Sequence, residues 1–175
     1  MRGCACRGTA GFAHVSCLAE QAKILVAEAL ENNLDEEPHW IRWHTCSLCE
    51  QQYHGVVYCA LGWACWKTYV GRPERDQVRG MAMNLLGLGL EAAKHHEDAL
   101  SVREANLSML RRLGADVDSI LIVQSNLAIT YQMLGRFEEA HLIQRNVYFG
   151  FLKLHGGQHQ QTLKFKQLER MVIQI

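Results

Sequence analysis

Residues 126–140 read Asn-Leu-Ala-Ile-Thr-Tyr-Gln-Met-Leu-Gly-Arg-Phe-Glu-Glu-Ala, and this stretch decides the fold. Its first six residues are typical of a helix, and Leu134-Gly135-Arg136 is typical of a tight turn, since glycine often ends a helix. The run Glu138-Glu139-Ala140 then opens a second helix, where carboxylates are favoured. The stretch therefore predicts two helices joined by a short turn.

The same pattern occurs a second time, 41 residues earlier, because residues 86–113 align with residues 127–154. An internal repeat of this length is typical of a helical solenoid, in which each unit buries its faces against the next. Small side chains are expected where the helices cross, because they let two backbones approach. The small residues at corresponding positions are Gly87 and Ala128, and Ala99 and Ala140.

The repeat resembles the tetratricopeptide repeat, and more closely its 42-residue variant in kinesin light chains. That variant carries Asn-Leu-Ala-x-x-Tyr followed by Leu-Gly-Arg-x-Glu-Glu-Ala, which residues 126–140 match nearly throughout. Residues 84–99 match loosely, since Lys94 replaces the turn glycine and Leu90 the tyrosine. The resemblance implies units over about 78–114 and 120–156, a half unit over 53–71 and a capping helix over 162–175.

In such repeats the first helix of each unit lines a concave surface that binds other proteins. By this resemblance, the predicted peptide-binding groove consists of Asn84, Leu88, Ser125, Asn126, Ile129 and Gln132. Two roles remain open for Asn126. It either hydrogen-bonds the backbone of an extended peptide or bonds only within its own repeat.

The composition excludes several classes of partner. Lysine plus arginine and aspartate plus glutamate each number 18, so the net charge is zero and no strong attraction to nucleic acid is expected. The uncharged, partly apolar stretch Gln51–Trp66 is too short and too polar to span a membrane. The odd count of 7 cysteines argues against a paired disulfide framework, which predicts a reducing compartment, the cytoplasm or the nucleus.

All seven cysteines precede Trp66, and most of them are closely spaced. The front of the chain holds Cys4-x-Cys6, His14-x2-Cys17 and Cys46-x2-Cys49. Zinc takes four such ligands in a tetrahedron, usually as two short-spaced pairs. Ordinary reduced cysteines are the alternative, and so is a dithiol redox motif, which would need a helix N-terminus in a βαβ context. No such context surrounds the last pair, so zinc is favoured.

These pairs, with Gly8, Leu18 and Trp40 or Trp43 between them, resemble the last three pairs of the RING-CH finger of certain ubiquitin ligases. The resemblance covers residues 4–53. It implies that one Zn²⁺ is held by Cys4, Cys6, Cys46 and Cys49. It also implies that His14 and Cys17 belong to a second site that lacks its first Cys-x2-Cys pair. The chain is then a truncated fragment, or the second site is vestigial, or other residues complete it.

The expected fold class is mainly α, with a small zinc-binding finger packed on a short tetratricopeptide-like solenoid. The finger covers residues 1–52 and includes a helix over 18–30, and the repeats cover residues 53–175. We expect Trp40 and Trp43 to pack beneath the finger as core. Because Cys59 and Cys65 fall in an apolar helical stretch, we expect them to be small buried hydrophobic residues rather than ligands.

Two functions fit these expectations. The first is a zinc-binding adaptor that binds other proteins through its repeats. The second is a RING-CH-type ubiquitin ligase, or a fragment of one, that receives a ubiquitin-conjugating enzyme on the finger and recruits substrate through the repeats. No catalytic residue is predicted, because the phosphate-loop, nucleophile-elbow and zinc-protease motifs are missing from the sequence. A thiol redox protein is a third and weaker reading.

Overall fold

The structure is a computed structural model that describes residues 3–4, 13–35 and 37–173. In the described residues the regular structure is helical, with turns and loops between the helices and a single antiparallel bridge between Thr45 and Gln52. The mainly-α prediction is confirmed. The helices are α1 Val15–Glu31, α2 Glu37–Trp40, which continues as a 3₁₀ turn over Ile41–Trp43, α3 Gly55–Tyr69, α4 Gln77–Ala92, α5 His96–Leu113, α6 Val117–Met133, α7 Phe137–His155 and α8 Gln160–Ile173.

The helices form two compact units, Met1–His95 and His96–Ile175. In the first unit α3 packs against α4 and also against α1, and in the second unit each of α5, α6 and α7 packs against the next helix in the chain. This neighbour-on-neighbour packing is the helical-repeat-like arrangement that the internal repeat predicts. In the part of the chain that the structure describes, no helix has both the length and the apolar character needed to cross a membrane.

The two repeat segments end their first helices in the same way. At the end of α4, Lys94 adopts a left-handed backbone with φ of +66°, and at the end of α6 Gly135 does so with φ of +75°. The N–H groups that follow reach back to the carbonyls of Leu90 and Tyr131, each at 2.9 Å. This capping motif favours glycine, because a Cβ is crowded in the left-handed region. The backbone at Lys94 therefore forms the same turn as at Gly135, although the residue here is not glycine.

The first helices of the repeats also begin alike. The carboxylate of Asp76 accepts a hydrogen bond of 2.9 Å from the Val78 N–H at the start of α4. The carboxylate of Asp116 accepts one of 2.8 Å from the Ser119 N–H at the start of α6. Each side chain satisfies a backbone donor that the first turn of a helix leaves without a partner. The hydrogen bonds from Ser119 also hold the pKa of the Asp116 carboxyl below its usual value.

A close backbone contact joins α3 to α4. A Cβ added at Gly89 would lie 2.9 Å from the carbonyl oxygen of Tyr58 and 3.0 Å from the Cα of Cys59. On the other helix, a Cβ at Gly62 would lie 3.1 Å from the Leu85 carbonyl oxygen. The predicted small residues of the repeat are buried as well, namely Gly87, Ala99, Ala128 and Ala140. Sequence reasoning did not single out Gly62 or Gly89.

An aromatic cluster forms part of the core of the first unit. Trp43 is fully buried and Trp40 nearly so, and their rings lie 6.0 and 5.7 Å from the ring of Tyr69 at the end of α3. The prediction that both tryptophans are core residues is confirmed. Cys65 is completely buried in the same cluster, as expected, whereas Cys59 is only partly buried.

Replacing Gly89 by alanine should lower the free energy of unfolding by about 1–3 kcal/mol, because the new methyl group would overlap backbone atoms of α3 that cannot rotate away. The control is Gly80→Ala on the same helix, where an added Cβ meets nothing within 4 Å. That change should stabilise the protein by up to about 1 kcal/mol, since alanine favours helix over glycine. Urea unfolding followed by circular dichroism measures the free energy of unfolding of both variants. Similar changes in this free energy for Gly89→Ala and Gly80→Ala would contradict the close contact.

Candidate metal centre

A tight turn holds the two cysteines of the Cys-x2-Cys pair. It begins after the 3₁₀ turn and is closed by the bridge between Thr45 and Gln52. Within it the Cys46 carbonyl accepts a hydrogen bond of 3.0 Å from the Glu50 N–H, and Glu50 takes a left-handed φ of +55°. The turn therefore reverses the chain directly after Cys49 and keeps the two thiols close together.

Cys4 reaches this turn because the N-terminal segment docks on the start of α3. The Gly3 carbonyl accepts a hydrogen bond of 2.9 Å from the His54 N–H. Gly3 is buried against Val57, and a Cβ at this position would lie 2.5 Å from the Val57 Cβ. Only glycine fits there, so the backbone can approach α3 closely enough to bring Cys4 beside the turn.

The sulfur atoms of Cys4, Cys46 and Cys49 all lie within 4.8 Å of one another. Around a tetrahedral metal the sulfurs of neighbouring thiolates are about 3.8 Å apart, given a metal–sulfur distance of about 2.3 Å. Cys4 and Cys46 are buried, and Cys49 is partly exposed. Three thiols at this spacing can hold a metal ion, and the structure thus brings together three of the four predicted ligands.

A buried tyrosine that sequence reasoning missed stands beside the thiols. The Tyr53 hydroxyl is hydrogen-bonded to the Cys46 side chain. Burial raises the pKa of this phenol strongly, and the neighbouring Cys46 and Cys4 raise it further. A protonated hydroxyl that donates to a sulfur orients that ligand and moderates its charge. The sequence does contain a signal for this contact, namely a tyrosine soon after the Cys-x2-Cys pair, because a buried hydroxyl needs a polar partner.

The other predicted ligands have different outcomes. Cys6 lies outside the described residues. His14 precedes the first turn of α1 and Cys17 lies in that turn, with 4.0 Å between the Cys17 sulfur and the His14 Nδ1. Both side chains are exposed. Among the described residues, no third histidine, cysteine or carboxylate joins these two to make a possible metal-binding group.

The predicted groove residues fall into two sets. In the first unit, Asn84 and Leu88 on α4 both line a cavity of about 190 Å³. In the second unit, Ser125 is buried and its hydroxyl donates a hydrogen bond of 3.3 Å to the Gln144 side chain. The remaining predicted residues of α6 are half-buried, namely Asn126, Ile129 and Gln132.

Comparison with known proteins gives no family for this chain. No protein-family model matches it. The comparison with curated proteins finds no match either. The likeness to RING-CH fingers and to tetratricopeptide repeats therefore stays a prediction from motifs, and the geometry of the described residues has to support any function.

The cysteines should differ sharply in reactivity. Iodoacetamide applied to the native protein should modify Cys17 rapidly and leave Cys65 unmodified until the protein unfolds. Cys17 is exposed, whereas Cys65 is completely buried and burial raises the pKa of its thiol, so that the reactive thiolate hardly forms. Peptide mass spectrometry over a time course measures this. Cys17→Ser, as a control, should remove the fast phase, and equal rates at both positions would contradict the described burial.

Proposed function

We propose that the chain is a zinc-binding adaptor, in which a RING-CH-like finger over residues 1–52 accompanies tetratricopeptide-like repeats over residues 53–175 that bind other proteins. The observation that carries the proposal is the packing of each helix on its chain neighbour within a unit. Helices stacked in this way leave one face of each pair available, and such faces serve as binding surfaces in repeat proteins. The absence of catalytic motifs from the sequence is consistent with a binding role.

Zinc is the metal that this donor set favours. Soft thiolates select zinc over magnesium, calcium or manganese, which prefer oxygen ligands. With Cys4, Cys46 and Cys49 clustered, the resemblance to RING-CH fingers makes Cys6 the proposed fourth ligand. A closed site of four thiolates is structural in kind, because it leaves no position for a substrate. The zinc would fasten the N-terminal segment to the turn that follows the 3₁₀ helix, in a reducing compartment such as the cytoplasm.

Metal analysis tests the zinc site. The chain purified under reducing conditions should contain one zinc per molecule, and the double variant Cys46→Ser/Cys49→Ser should contain none, because two of four ligands are gone. Cys17→Ser is the matched control and should keep its zinc, since Cys17 lies outside the cluster. Elemental analysis by mass spectrometry gives the ratio. A wild-type chain that binds no zinc would contradict the site.

Protein binding is tested by probing an array of peptides from many unrelated proteins with the full zinc-loaded chain. Saturable binding to a subset of peptides is expected. The double variant Asn84→Ala/Asn126→Ala should weaken it, because both residues belong to the predicted groove. Asn146→Ala changes an exposed asparagine of α7 and should leave binding intact. An array without any saturable binder would contradict the adaptor function.

The second candidate is a RING-CH-type ubiquitin ligase. Its supporting observation is the separation of 4.0 Å between the His14 Nδ1 and the Cys17 sulfur, which suits two ligands of one further metal ion. A ligase of this class positions a charged conjugating enzyme and forms no covalent intermediate with ubiquitin. Two zincs per chain together with autoubiquitination in a reconstituted reaction would favour this function, and one zinc without ubiquitination would favour the adaptor.

A further inference from the structure

A groove runs along α4 in the first unit. A cavity of about 620 Å³ and the cavity of about 190 Å³ that contains Asn84 are neighbours, since Trp40, His44 and Met81 line both. We call the two together the α4 groove. Its other lining residues are Leu34, Asp35, Ile41 and Gln77 in the larger part, and Gln52, Tyr58, Leu85 and Leu88 in the smaller part.

One face of α4 forms the floor of this groove. Gln77, Met81, Asn84 and Leu88 follow one another at intervals of three or four residues, which places their side chains along one stripe of the helix. From the first to the last of them the helix rises about 16 Å, at about 1.5 Å per residue. An extended peptide of about five residues has this length.

The facing wall comes from the segment that carries the metal centre. Trp40 and His44 flank the 3₁₀ turn, and Gln52 belongs to the bridge with Thr45 that closes the Cys46–Cys49 turn. The Gln52 side chain donates a hydrogen bond of 3.1 Å to the Tyr58 hydroxyl on α3, which connects this wall to the helix beside the groove. The groove is therefore built jointly by the predicted finger and by α4, the first helix of the predicted unit over about 78–114.

The chemistry of the lining suits a polypeptide. Side-chain amides of Gln77, Asn84 and Gln52 lie along its length, and an amide can both donate to and accept from a peptide backbone. Between them, Met81 and Trp40 offer apolar contact that accepts side chains of several shapes. Among the described residues that line the groove, Asp35 carries the only formal charge besides the titratable imidazole of His44. A carboxylate at one end favours a basic partner residue and disfavours an acidic one.

We propose that the α4 groove binds an extended segment of a partner protein, about five residues long, that has apolar side chains, a basic residue near Asp35 and no acidic residue. The proposal rests on the adaptor function and makes it more specific. It assigns binding to the junction of finger and α4 rather than to the predicted groove residues of α6. It also makes the metal centre part of the binding site, because the Cys46–Cys49 turn supports one wall.

The test uses the zinc-loaded full chain and a library of all pentapeptides composed of Leu, Lys, Asp and Ser. Binders should contain leucine and lysine and lack aspartate. Methionine methyl groups labelled with ¹³C then locate the site, because Met81 lines the groove whereas Met109 and Met133 lie on α5 and α6 of the other unit. A bound peptide should shift the Met81 signal and leave the other two unchanged.

Two substitutions test the assigned contacts. Asn84→Ala should weaken peptide binding about three- to tenfold, the effect of losing one or two hydrogen bonds, and the exposed Asn146→Ala should have no effect. Asp35→Asn should weaken the binding of lysine-containing peptides about two- to fivefold, as expected for an exposed ion pair. The binding of the same peptides with serine in place of lysine should not change.

Four outcomes overturn the proposal. One is a library without binders, another is a preference for aspartate, and a third is a peptide that shifts Met133 but not Met81. The fourth is loss of binding in Asn126→Ala while Asn84→Ala binds normally. If one of these outcomes occurs but the array of peptides from unrelated proteins still gives saturable binders, the groove proposal fails and the adaptor function stands. If that array gives no binders, both the groove proposal and the adaptor function fail. The change of the Met81 methyl signal is measured on the folded wild-type chain, so it tests the proposal even if a variant fails to fold.

Discussion

The contact of α3 with α4 at Gly89 is the constraint on which the first unit depends. Because the two backbones nearly touch, Tyr58 on α3 comes to lie beside the groove face of α4. The opposite end of α3 carries Tyr69, on which Trp40 and Trp43 pack. A helix fixed at such a contact cannot shift along its partner without steric overlap, so it serves as the fixed support for the aromatic core and for the groove.

The start of the same helix receives the N-terminal segment. His54 and Val57 hold Gly3 through a hydrogen bond and a contact that admits no side chain, and Cys4 is thereby placed beside Cys46. The thiol cluster thus joins two segments that lie far apart in the sequence. Metal bound there would resist the separation of those segments, so metal binding and docking of the N-terminus stabilise each other.

The sequence predicted the features that depend on local pattern. The repeat offset placed equivalent helix ends at Lys94 and Gly135, and the structure gives both the same cap. The resemblance to RING-CH fingers implied that Cys4, Cys46 and Cys49 share one site, and the structure brings these three cysteines together. Cap geometry and the short spacing within each cysteine pair are encoded within a few neighbouring residues, and for this reason a single sequence reveals them.

Features that depend on tertiary contact were not predictable. A glycine within a helix has no distinguishing neighbours in sequence, and only the packing of α3 on α4 separates Gly89 from Gly80 on the same helix. Tyr53 was missed for the same reason, since its importance comes from a sulfur atom that folding places beside its hydroxyl. The division of the chain after His95 also follows from contacts, because α3 and α4 share a core with α1 and with the segment around Trp40 and Trp43, which composition alone does not reveal.

The two repeat segments show how one position can acquire different roles. Asn84 and Ser125 correspond at the offset of 41 residues, yet Asn84 lines a cavity whereas Ser125 is buried against Gln144. In α6 a polar side chain at this position contributes to internal packing, since its hydroxyl is used within the unit. In α4 the segment around Trp40 stands opposite instead and leaves space between. Whether a cavity opens along the first helix of a repeat segment therefore depends on what faces that helix, and this explains why one arises where the segment around Trp40 meets α4.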